Sequence, residues 1–128
     1  IRKSLQDHGL PADDSLIHYS ADEQYVEIVG KLLRRGIDAL FCPGGSGGII
    51  AAYALSLFNR RVPEDISLIA SEQTFFSRYG VPPQTTISPD YKALAASTAD
   101  LIEARIGNLD FPRRTILPYI LNSRESVR

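Results

Sequence analysis

One cysteine, two histidines, and no methionine or tryptophan occur among the 128 residues. A lone cysteine excludes an internal disulfide and suits a reducing, cytoplasmic setting. His8 and His18 share neither a metal-ligand spacing nor a carboxylate cluster, so no metal or other cofactor is expected. No apolar run is long enough to span a bilayer, and no signal-peptide pattern opens the chain. A net charge of −1 leaves no electrostatic footprint for nucleic acid, and the pairs Arg34-Arg35, Arg60-Arg61 and Arg113-Arg114 stand apart. With no methionine, and with Ile1 already inside a helical pattern that has no cap, the chain reads as a piece of a longer protein.

What is present is an alternation of helices and short apolar strands. The first residues to about His8 read as a helix stopped by Gly9 and Pro11. Ser15 to Tyr19 reads as a short strand-like run. Ser20 with Glu23 forms a capping box before a helix whose Tyr25, Ile28, Val29 and Leu32 share one face, and Gly36 ends it. Ala39–Cys42 reads as a strand buried on both faces, and Ser67–Ala70 as the next. Thr74 to Gln84 reads as an irregular aromatic loop. Ser88 is the expected cap, and Pro89 the first residue, of a helix reaching about Gly107; Thr115–Leu121 reads as a last strand. This order predicts an α/β fold with a mostly parallel sheet and helices on both faces.

The helix from Ser46 to Asn59 is apolar nearly all round, with Ser56 its only strongly polar side chain after Gly48. Such a helix is buried on more than one side. One face covers the sheet, and Ile49, Ala52, Tyr53, Leu55 and Ser56 are the expected two-fold subunit interface.

In parallel sheets ligands bind beyond the carboxyl ends of the strands. Glu72 follows the Ser67–Ala70 strand there, which makes it the leading ligand contact. Gly44-Gly45-Ser46-Gly47-Gly48 opens a helix after a strand, where backbone N–H groups can receive an anion; close packing of a tight turn is the competing explanation. The run formally matches the G-x-S-x-G nucleophile elbow, but both histidines precede it and no base can follow the serine. Asp38 to Gly45 looks like the Pro-Gly-Gly strand end of glutamine-amidotransferase-like folds. That chemistry needs a cysteine on a later elbow, and Cys42 lies inside a strand, as a core residue would.

Val62-Pro63-Glu64-Asp65-Ile66-Ser67-Leu68-Ile69, Pro82-Pro83-Gln84-Thr85-Thr86-Ile87 and Asn122-Ser123-Arg124-Glu125-Ser126 resemble, in this order, the LacI/GalR family of bacterial transcription regulators. The resemblance covers essentially the whole chain. It implies the second half of a two-lobed, periplasmic-binding-protein-like (type I) effector domain, with about 1–87 and 119–128 in the C-terminal lobe and about 88–118 in the N-terminal lobe. It implies a small-molecule effector (a sugar or an anionic metabolite), a homodimer, operator DNA bound only through a head absent here, and no enzymatic activity. The family's asparagine–aspartate pair is replaced by Gly44 and Gly45, and Glu72 is the nearest equivalent of its sugar-binding aspartate. Gly44, Gly45 and Ser46 would then supply backbone or hydroxyl donors, with Thr74, Phe75, Asp90 and Tyr91 as further effector contacts. A solute-binding protein of a sugar transporter and the sensor of a GntR-type regulator are the alternatives on the same scaffold.

Overall fold

The computed structural model describes every residue except Ile1, Ser20, Gln73, Asn108, Phe111 and Arg113, and of Asp22 only the backbone. In chain order the elements are α1 (Arg2–Asp7), α2 (Tyr25–Arg34), β1 (Ala39–Cys42), α3 (Gly47–Leu57), β2 (Ser67–Ser71), α4 (Phe75–Tyr79), β3 (Thr85–Pro89), α5 (Tyr91–Ile106) and β4 (Tyr119–Asn122). The strands form one sheet in the order β1-β2-β3-β4. The first three are parallel and β4 is antiparallel to β3. This is the expected mostly parallel α/β sheet.

The core lies between the sheet and α3, with α2 packed over α3. Cys42, Ala51 and Leu68 form one cluster, and Val29, Ala54, Leu55 and Ile66 another, with Leu40 and Val62 against both. Alternation along each strand sends Leu40, Cys42, Leu68 and Ala70 inward. Phe41 faces the other way and is 40% exposed, so β1, the first strand in the sheet order, is covered on one face and is not the doubly buried strand expected. Val29 and Leu32 of α2 are buried as its periodicity predicts, with Tyr25 and Ile28 partly so. The left-handed Gly36 (φ 77°) stops that helix.

Four expectations change locally. Ser15–Tyr19 is not a strand: Asp14–Leu16 makes a 3-10 turn, capped by Asp13 accepting from the Ser15 N–H. A 3-10 turn at Asp22–Gln24 leads into α2, and the proposed Ser20 cap lies outside the described residues. The Thr74–Gln84 segment is not irregular throughout, because Thr74 and Ser77 close a capping box around the five-residue α4. Ser88 and Pro89 belong to β3, and Asp90 caps α5 instead, its Oδ1 accepting from Lys92 N at 3.0 Å and Ala93 N at 3.1 Å. The last strand starts at Tyr119, later than expected.

The C-terminal segment ties the sheet together. Asn122 Nδ2 donates to Ser88 Oγ at 3.2 Å, and Arg124 N donates to Thr85 Oγ1 at 2.9 Å. Ser126, fully buried, receives Thr85 N–H at 2.8 Å and donates its hydroxyl to the Leu68 carbonyl at 2.5 Å, while its own carbonyl accepts from Leu68 N at 2.8 Å. One residue thus bridges β2 and β3 just before their ladder begins at Ile69 and Thr85. Ser126→Ala strands a buried N–H and a buried carbonyl, and should cost about 2 kcal/mol in urea unfolding of the full-length protein.

Candidate functional site

The carboxyl ends of β1, β2 and β3 lie along one edge of the sheet, which places the 43–48 turn, Glu72 and the 89–91 segment side by side. Each is shaped by local chemistry. Gly44 has φ 98°, a backbone region open to glycine and strained for other residues. Gly47 and Gly48 are there for packing: a Cβ on Gly48 would sit 2.5 Å from Ala70 Cβ and 2.6 Å from Gln84 Oε1, and one on Gly47 would meet the Tyr25 hydroxyl at 2.8 Å. Gln84, itself buried, donates to the Gly48 carbonyl at 2.9 Å. Close approach of α3 to the sheet therefore explains the last two glycines. Gly45 faces open space, and Gly44, Gly45 and Ser46 are exposed at the edge.

Glu72 is the residue most shaped for a role here. It is half-buried and adopts φ 72°, a backbone region uncommon for a non-glycine residue. Its N–H donates to the Ile87 carbonyl at 2.9 Å, so the end of β2 is pinned to β3. Its Oε2 accepts a hydrogen bond from the Tyr91 hydroxyl. That bond, more than burial, raises the Tyr91 phenol pKa, because the neutral phenol is the donor.

Other expected contacts are arranged differently. The Thr74 hydroxyl accepts from Ser77 N at 3.1 Å, and the Asp90 carboxylate is engaged at the start of α5, so both side chains have structural work. Phe75 turns to the α3 side. It is 70% exposed, lies against Phe76 and Tyr79 with ring centroids at 5.7 and 4.8 Å, and lines a groove with Ile49, Ala52 and Ser56. That groove, of about 680 Å³, runs between α3 and α4. Tyr53 is exposed on α3. Leu55 corrects the expected interface: it is fully buried in its own chain's core against Val29, Ala54 and Ile66 and reaches no partner.

Residues 1–127 match the family described as periplasmic binding protein-like domain. The chain belongs to that family. It is 30% identical over 131 residues to the HTH-type transcriptional regulator CelR of Thermobifida fusca, covering 98% of this chain and 38% of that protein. It is 31% identical over 98 residues to the HTH-type transcriptional regulator DegA of Bacillus subtilis, covering 74% of this chain and 29% of that protein. The solved CelR–cellobiose complex superposes with a TM-score of 0.80 at 28% identity, over 98% of this chain and 40% of that one. The chain thus spans less than half the length of the relatives it matches.

Within this periplasmic binding protein-like domain, the aromatics of α4 are what sequence reasoning missed as a group. Their helix is too short for periodicity to reveal, although Thr74-x-x-Ser77 was a readable cap. The Glu72–Tyr91 pairing, 19 residues apart, has no local signal at all. The two imidazoles serve local structure, His8 on the Ser4 carbonyl and His18 on the Ser15 carbonyl. Cys42 is buried, and desolvation pushes its thiol up to about 12, so it is no nucleophile. Iodoacetamide at pH 8 should leave Cys42 unmodified in the native protein and alkylate it in urea, as read by peptide mass mapping.

Proposed function

We propose that this chain is the effector-binding and dimerisation region of a LacI-type transcriptional regulator, without catalytic activity. The effector sits between two lobes against the carboxyl edge of the sheet, with Glu72 as its principal contact and Gly44, Gly45 and Ser46 lining the neighbouring turn. The observation that carries this reading is Glu72 itself: a half-buried carboxylate on a left-handed backbone, fixed at the end of a parallel strand. Asp90 and Thr74 shape the site by capping helices, and Tyr91 borders it. The cellobiose complex of CelR supports a hydroxyl-rich effector, a sugar, over an anionic one. The helix-turn-helix regulators among the relatives favour a regulator over a transporter's solute-binding protein.

The chain leaves the C-terminal lobe near residues 88–90 and returns near 119, with α5 in the other lobe. The structure of α5 supports this, since Ala104 is its only buried residue and Leu94, Leu101, Ile102 and Ile106 are exposed on it. Effector binding then favours one hinge arrangement and alters the spacing of two DNA-binding heads in a dimer. The dimer forms over α3 through Ile49, Ala52, Tyr53 and Ser56, extended by Phe75, Phe76 and Tyr79 around the adjoining groove.

Two measurements on the full-length protein test this. Titration against a panel of oligosaccharides that includes cellobiose should find a ligand whose affinity falls about tenfold or more in Glu72→Ala, because a charge-assisted hydrogen bond is lost. Equal affinity in both proteins removes Glu72 from the site. Tyr53→Asp should shift the sedimentation of the dimer to that of a monomer; an unchanged dimer would place the interface elsewhere.

A further inference from the structure

We propose that Tyr91 is the positioning residue of the cleft: its hydroxyl holds Glu72 by Oε2 and presents Oε1 to a hydrogen-bond donor of the ligand. This rests on the assignment of Glu72 as an effector contact. A glutamate side chain has three rotatable bonds, and fixing them costs up to about 2 kcal/mol, so a free carboxylate would meet its ligand at a loss. Glu72 is fixed at both ends. Its backbone is pinned by the Ile87 carbonyl, and its carboxylate by a phenol rooted in the first residue of α5, next to the Asp90 cap. Preorganisation of this kind strengthens binding without adding a contact.

The pair also sets the chemistry of the ligand. The phenol proton is already committed to the carboxylate, so what the pair offers outward is acceptors: Oε1, and the lone pairs of the phenol oxygen. That arrangement takes hydroxyl or ammonium donors and repels a phosphate or carboxylate. The substrate class it selects is a neutral polyol or an amino-bearing one. The hydrogen bond also joins the end of β2 to the start of α5, which follows β3, so a ligand on Oε1 acts on a carboxylate that α5 helps to hold.

The test uses the full-length protein labelled at tyrosine Cζ with carbon-13, with the Tyr91 resonance assigned by its loss in Tyr91→Phe. In the wild-type protein that resonance should titrate above the ordinary tyrosine range. In Glu72→Gln it should change position and titrate closer to the ordinary tyrosine range. Glu72→Asp, which keeps the charge but withdraws the carboxylate by one methylene, should show the same change of position, so a folding defect in either variant alone does not decide the matter. A Tyr91 resonance that is indifferent to both substitutions overturns the pairing. The measurement needs no effector: its failure removes Tyr91 and leaves the Glu72 assignment standing, whereas equal ligand affinity in Glu72→Ala removes that assignment and leaves the pairing.

Discussion

The rest of the structure depends on how β3 is held. This strand receives β2 on one side as a parallel neighbour and β4 on the other as an antiparallel one, and the segment after β4 folds back to Ser126 to stitch β2 and β3 at their amino ends. Arg124 reinforces the same strand, accepting from and donating to Thr85 and reaching Thr86 Oγ1 at 3.2 Å. The stitching matters because the chain departs after Pro89 into α5, in which Ala104 alone is buried. Without the returning segment, β3 would be an edge strand attached on one side only. At its other end, β3 supplies the Ile87 carbonyl that fixes Glu72. Architecture and candidate site are therefore two ends of one strand.

A second constraint is the closeness of α3 to the sheet. Gly47 and Gly48 permit it, and the buried Gln84 amide satisfies the Gly48 carbonyl where the helix begins. With one face of α3 in the core, Ile49, Ala52 and Ser56 form its wall of the α3–α4 groove. The glycine-rich turn, which could have been read as an anion cradle, is explained at Gly44 by backbone conformation and at Gly47 and Gly48 by packing.

Much of the scaffold was legible because its signals are local. β1, β2, α3 and the end of α5 follow from apolar runs and glycine stops, and the order of three short motifs led to the family. The misreadings have local causes as well. Ser15–Tyr19 has strand-like composition, but Asp13 captures the Ser15 N–H and bends it into a turn. Ser88 and Asp90 are both competent caps, and the pairing of Ser88 opposite Ile120 in the sheet decided for Asp90. Leu55 was placed on an interface because a helix apolar all round does not say which side faces its own sheet. In the proposed site, Glu72 stands out in the sequence by its place after a buried strand. Its partner Tyr91 was legible only as a neighbour of the proposed lobe crossing, since their meeting depends on the register of β3 against β2.

The central claim is that ligand recognition is organised around Glu72 at the carboxyl edge of this sheet. A crystal structure of the full-length protein with its effector tests it most directly. The account predicts a hydroxyl-rich ligand within hydrogen-bond distance of the Glu72 carboxylate, between the end of β2 and the start of α5. A ligand seated in the groove between α3 and α4, with the Glu72 carboxylate untouched, would contradict it.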